Sequence, residues 1–227
     1  MPEPFGQVSN RGPPTPSVPG NGFRPPLHLR GDRVALVPLD PKHSESLVKV
    51  AGEPEIWRYF RGGNLEDRPA MDRYIQEMLR RQEAGTDLPF TILGLPEERP
   101  VGMTRFMEID RENRGVEIGG TWLARPLWGT GINPEAKYLM LRYAFEEEGV
   151  IRVQIKSDAR NLHSQRAIEA LGAVREGVLR HQVILPDGFR RDSIYYSILA
   201  EEWPGVKRRL EQRLSLQDPR RPSTPGP

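Results

Sequence analysis

Cysteine is absent from all 227 residues. No disulfide can staple this fold, no thiolate can hold a metal, and no Cys can act as a nucleophile. Histidine is scarce. The four present, His28, His43, His163 and His181, include no pair at i, i+4, so no metal site is expected. Long apolar runs are missing too; none approaches the roughly 18–20 residues of a spanning helix, which argues against a membrane protein. Nor does one sign of charge dominate. Thirty-three Lys and Arg against 31 Asp and Glu leave a net charge of +2, too small to mark a specific nucleic-acid partner. Pairs such as Arg190–Arg191 and Arg208–Arg209 read as solvated surface. The opening residues lack the apolar centre of a signal peptide, so a cytoplasmic location is expected.

What remains is ordinary globular composition, 37% hydrophobic and 28% charged, with length for one sizeable core. Residues 1–26 and 215–227 are rich in Pro, Gly and polar residues; each is expected to be a disordered extension. The folded domain is placed at 27–214.

Within it, strand and helix patterns mix. A strand is predicted over Leu27–Leu39 and a helix over Ser44–Gly52. A clearer helix runs Pro69–Ala84, with Met71, Tyr74, Ile75, Met78 and Leu79 on one face. Leu88–Leu95, Val101–Ile109 and Val116–Leu123 read as strands. A helix comes next over Glu135–Glu148, with Asn133 as its cap and Pro134 in its first turn. Then come a strand Arg152–Asp158, a helix Leu162–Leu171, and a hairpin of Ala173–Leu185 with Arg190–Leu199. The lack of strict βα alternation favours α+β with a mixed sheet.

The strongest chemical signal is Trp128-Gly129-Thr130-Gly131, between a strand and a helix. Glycines let the backbone turn tightly and approach a ligand closely, and amides at the start of a helix face an anion. No Gly-Lys-Ser/Thr comes after it, so this is not a P-loop. Pro134 stands where a dinucleotide fingerprint needs Gly or Ala. A Gly-x-Gly alone is weak evidence; the succession of motifs downstream is stronger. Some thirty residues on stand Ser157-Asp158-Ala159-Arg160-Asn161-Leu162-His163-Ser164, a helix ending Leu171-Gly172, and Glu176-Gly177-Val178-Leu179-Arg180.

This succession resembles the GNAT N-acetyltransferases, in particular the branch of ribosomal-protein N-terminal acetyltransferases of RimJ/RimL type. The specific similarity covers about Gly115 to Leu199. The resemblance implies a GNAT fold: a mixed, V-split sheet of six or seven strands flanked by about four helices. It implies acetyl-CoA as cosubstrate, without a metal. Amides of Gly129, Thr130, Gly131, Ile132 and Asn133 would cradle the pyrophosphate. The main chain of Trp122 and Leu123 would run beside the pantetheine and bind the thioester carbonyl. Asn161 would hydrogen-bond the pantetheine, and Ser164 would lie near its sulfur, either as proton donor to the departing thiolate or simply as a small residue in the first turn of its helix. Two positions depart from the pattern: Pro126, where many relatives carry Arg or Gln, and Pro134, which lacks an N–H.

Glu117 matches the strand Glu that serves the family as general base; its other reading is a strand residue paired with an Arg. Trp57, Tyr59 and Phe60 occupy the segment that covers the acceptor in the family, and would either line an amine pocket or simply pack. Glu176 and Arg180 are expected to be structural. The implied function is acyl transfer, most simply acetyl, to a primary amine on a protein N terminus or a small molecule, by a monomer or homodimer. Transfer of succinyl or another acyl group, and a non-catalytic acyl-CoA-binding module, are the alternatives.

Overall fold

The computed structural model describes residues 22–216. Most of the two expected extensions, 1–21 and 217–227, lies outside the described residues. Among the described residues, eight strands form one sheet in the order β1-β2-β3-β4-β5-β6-β8-β7. They are β1 Leu29–Arg30, β2 Val34–Pro38, β3 Leu88–Gly94, β4 Arg99–Asp110, β5 Gly115–Leu123, β6 Arg152–Asp158, β7 Val174–Ile184 and β8 Arg190–Leu199. Five α-helices accompany them: α1 Ser44–Val50, α2 Arg68–Glu83, α3 Ile132–Arg142, α4 Leu162–Glu169 and α5 Trp203–Leu216. All neighbouring strands are antiparallel except β5 and β6. This is the mixed α+β sheet expected, with one strand and one helix more.

The extra strand comes from a break in the first one. Glu135, on α3, is 5% exposed, and its carboxylate accepts the backbone N–H groups of Asp32 (3.0 Å), Arg33 (2.7 Å) and Val34 (3.0 Å). Three amides aimed at one buried carboxylate turn the chain and divide β1 from β2. The extra helix is α5, whose Pro204 sits in its first turn, where Pro is tolerated. Its buried stripe is Trp203, Val206, Leu210 and Leu214.

Strand alternation produces two packed layers. On one side Phe90, Phe106, Val116, Ile118, Val153 and Tyr196 pack with Ala136, Leu139 and Met140 of α3 and with Trp203, Val206 and Leu210 of α5. On the other, Met103 and Trp122 pack beneath α1 and α2, where Leu47, Met71, Ile75 and Met78 are buried. Each such side chain contributes about 1.5–3 kcal/mol. The α2 helix is capped by Asp67, whose Oδ1 accepts the Ala70 N–H at 2.7 Å. Phe23, which composition placed in the N-terminal extension, is 7% exposed. Its ring meets Phe106 at 4.9 Å and Tyr143 at 5.8 Å. The packed domain therefore begins before residue 27, because one aromatic side chain outweighs its Pro/Gly-rich surroundings.

The α3 helix starts at Ile132 with Gly131 as its cap residue, not Asn133; Asn133 lies inside the first turn. After Arg142 it widens into a π-helical segment, Tyr143–Glu147. Among the described residues no helix is long and apolar enough to cross a membrane.

Candidate active site

Parallel pairing joins Gly115, Val116 and Glu117 to Arg152, Val153 and Gln154, and stops there. Beyond that point β5 stays with β4, and β6 stays with β8. A wedge opens between residues 118–123 and 155–158. Strands present N–H and C=O groups to both sides, so the walls of the wedge offer polar backbone edges. On β5 the geometry is helped by glycine: Gly120 has φ +58°, and a Cβ on Gly102 of β4 would collide with the Trp122 carbonyl oxygen.

Glu117 stands at the apex of this wedge. It is 2% exposed, on the α1/α2 side of the sheet. Its Oε2 accepts from Gln154 Nε2 at 2.8 Å and Lys156 Nζ at 3.0 Å. The carboxylate is thus held in place by two side chains of the strand across the wedge.

At the open end, β5 leads into the Trp128–Gly131 turn. Gly129 has φ +78°, a conformation costly for any residue with a Cβ. Thr130 Oγ1 donates to the Leu127 carbonyl at 2.7 Å, tightening the turn. The first N–H groups of α3 have no partner within the helix and carry the positive end of its dipole. The indole N–H of Trp128 donates to the Leu123 carbonyl at 3.0 Å. Its ring stacks on His163 at 5.4 Å with 17° between planes, and the Arg125 guanidinium lies 4.6 Å from it. This stack links the β5–α3 turn to the start of α4 across the mouth of the wedge.

The start of α4 is set by Asn161, whose Oδ1 accepts the Ser164 N–H at 3.0 Å as an N-cap. That contact engages the carbonyl end of the carboxamide. Ser164 is half-buried in the first turn.

The α1/α2 side of the wedge is roofed by two loops. Arg160 lies 5.5 Å from the Tyr59 ring and 3.6 Å from the Phe189 ring, bridging the α1–α2 segment to the β7–β8 turn. It also grips Asp158, with Nε 3.0 Å from Oδ1 and Nη2 2.7 Å from Oδ2. Burial pushes the Asp158 carboxyl up, but the Arg160 hydrogen bonds and charge outweigh it and hold the group below its ordinary range.

A sequence model described as Acetyltransferase (GNAT) domain matches residues 33–174, more than half of the chain. The "Putative ribosomal N-acetyltransferase YdaF" of Bacillus subtilis (strain 168) is 32% identical over 177 residues, covering 74% of this chain and 92% of that protein. The chain belongs to the GNAT acetyltransferase family. A solved "putative acetyltransferase" from T. thermophilus is 41% identical, covers 83% of this GNAT chain and 97% of its own, and superposes with a TM-score of 0.76. Mycobacterium smegmatis RimJ, in complex with CoA-disulfide, shares the fold at 22% identity and a TM-score of 0.69, covering 79% of this chain and 88% of that one. Together these place the chain among the GNAT N-acetyltransferases, with the fold that RimJ shares.

The GNAT fold gathers the residues singled out in the sequence around one wedge. Glu117 lies at its apex and Trp122 and Leu123 on its wall. Residues 129–133 lie at its mouth, with Asn161 and Ser164 beside them on α4. Three local roles are more specific than the sequence allowed. The Leu123 carbonyl already accepts a hydrogen bond, the Asn161 Oδ1 is a cap, and Glu117 pairs with a Lys instead of an Arg. Trp57 packs, its ring 5.1 Å from Trp122 and its Nε1 donating to Ala51 at 2.9 Å; Phe60 joins it at 5.3 Å, and Tyr59 alone turns toward Arg160. Glu176 pairs with Arg152 and accepts from Ser197 Oγ at 2.8 Å, a contact that ties β7 to β8 and β6. Gln154, Lys156, Arg160 and His163 were not distinguishable beforehand, because only the folded register brings them to the wedge; Arg191, expected as solvated surface, is instead buried at 7% exposed near the start of β8.

Proposed function

We propose that this chain transfers an acetyl group from acetyl-CoA to a primary amine, on a protein N terminus or a small molecule, by direct attack and with no covalent enzyme intermediate. The observation that carries this reading is the buried Glu117 at the apex of the wedge, on the side roofed by the α1–α2 and β7–β8 loops. The nucleophile has to be a neutral amine. At pH 7 deprotonation costs about 4.6 kcal/mol for a lysine and about 1–1.4 kcal/mol for an α-amine. Glu117, directly or through water, receives that proton. Gln154 and Lys156 keep its carboxylate from turning away.

Acetyl-CoA fits the residues present, and when bound it supplies an activated acyl thioester. Amides of residues 129–133 would hold its pyrophosphate, with Pro134 contributing no N–H. The polar edge of β5 at Trp122 and Leu123 would run along the pantetheine and offer N–H to the thioester oxygen. The Asn161 amide nitrogen is left to donate to the pantetheine, and Ser164 to protonate the departing thiolate.

The test is a CoA-release assay with acetyl- and succinyl-CoA against N-terminal peptides, polyamines and aminoglycosides. Acetyl-CoA should support the fastest release. Glu117→Gln should lower kcat/KM at neutral pH by tenfold or more and recover partly at high pH, with acetyl-CoA affinity little changed. Full activity in that variant would return Glu117 to a structural role.

A further inference from the structure

Around Glu117 and Asp158 two cations are hydrogen-bonded to a carboxylate, and a buried third is not. Lys156 is matched by Glu117 at 3.0 Å. Arg160 is matched by Asp158, which also accepts the Arg160 backbone N–H at 2.8 Å. Arg191 is different. It is 7% exposed, and its nearest carboxylate oxygen, Asp158 Oδ2, is 3.9 Å from Nε. That separation is beyond hydrogen-bond reach. Its Nε is buried without a hydrogen-bond partner among the described residues.

A guanidinium this deep is costly unless charge and hydrogen bonds compensate it. Asp158 offers it charge but no hydrogen bond to Nε, being 3.9 Å away. Burial draws the Arg191 guanidinium below its ordinary value, against the pull of Asp158; Arg61 lowers it further, while Glu117 and Tyr195 raise it. By strand alternation Arg191 lies on the same side of the sheet as the base. Register agrees: Ser193, two residues on, pairs with Asp158 at the end of β6, and Lys156 with Tyr195. Strand residues two apart share a face.

We infer that Arg191 receives a carboxylate carried by the acceptor amine. The inference deepens the amine-acetylation reading above and rests on it. A planar fork of donors suits a carboxylate. The acceptors it selects are amines with an acidic group within reach of Glu117, such as amino acids or peptides with an acidic residue near the N terminus. Arg191 is then a specificity-determining residue, and Tyr59 and Phe189 hold the roof above it through Arg160.

The experiment uses acceptors in matched pairs that differ only in carboxylate or carboxamide: peptides beginning Asp-Ala or Asn-Ala, and 4-aminobutyrate or its amide. The full chain should favour the acid of at least one pair by tenfold or more in kcat/KM, carried by KM. Arg191→Gln should bring that ratio near one, and Arg191→Lys should restore part of it. Arg191→Met, which removes the charge while keeping a long side chain, gives the same reading should the Gln variant melt early. Equal use of acid and amide by the unaltered chain in every pair overturns the inference. So does a preference for the acid that survives both Arg191→Gln and Arg191→Met. Calorimetry with acetyl-CoA separates the two levels: absence of binding by the unaltered chain removes the acyltransferase reading and the inference with it.

Discussion

Lys137 carries an electrostatic cost that a single substitution can measure. It projects from α3 into the sheet, 5% exposed, and its Nζ donates to Thr104 Oγ1 at 3.2 Å and to Thr121 Oγ1. Its partners are hydroxyls, not carboxylates, and burial pushes its pKa down from 10.5 to about 7. The sign follows from proton counts. Between pH 7 and 10.5 the unfolded chain holds a proton at this site more often than the folded one, so this site makes stability rise with pH. Below pH 7 the cost is present in full; above pH 10.5 it is gone. At 1.36 kcal/mol per unit, it is roughly 4 kcal/mol at pH 7. Lys137→Met removes it, at the loss of two hydrogen bonds worth about 1–2 kcal/mol together. Thr104 and Thr121 keep each other, 2.8 Å apart. The variant should therefore be about 2 kcal/mol more stable than the parent at pH 7. Urea unfolding of both chains from pH 7 to 10 gives the answer, and the relative stability of the variant should fall by about 1.4 kcal/mol per unit above pH 7.5. A difference that stays flat over that range refutes the reasoning, whatever its size at pH 7.

Two further substitutions test packing. Gly102→Ala forces a methyl against the Trp122 carbonyl oxygen; it should destabilise by about 1–3 kcal/mol and weaken acetyl-CoA binding in calorimetry, because β5 must shift at the wedge. Phe23→Ala removes a ring seated between Phe106 and Tyr143; it should cost about 3–5 kcal/mol by denaturant unfolding, where an unpacked segment would show no change.

Legibility tracked the range of the interactions involved. Strands β6 and β8 were read to the residue, since period-two patterns and nearby turn residues are local. The turn between β5 and α3 was readable because its geometry depends on consecutive residues, Trp128 to Gly131. The break between β1 and β2 was not, for its cause, Glu135, is a hundred residues away. The same holds for the partners of Glu117: Gln154 and Lys156 lie 37 and 39 residues along the chain, and only strand register chooses between them and any other polar residue. Asn133 was a reasonable cap by residue type, yet the turn at Gly129 starts the helix earlier. Helix α5, Trp203–Leu216, was not assigned at all in the sequence; its Pro204 falls at the head of the helix, where Pro is tolerated.

The Glu135 clamp also sets an order of assembly. Asp32, Arg33 and Val34 wait for a carboxylate 103, 102 and 101 residues downstream. Synthesis proceeds from the N terminus, so the first turn of the domain leaves the ribosome well before the group that shapes it. Closing so long a loop has an entropic cost that later contacts must offset. Residues 32–34 are therefore completed only after the amino end of α3, the stretch assigned to phosphate, has emerged. A lesion at residues 32–34 would be felt as late maturation of that helix, far from where it was made.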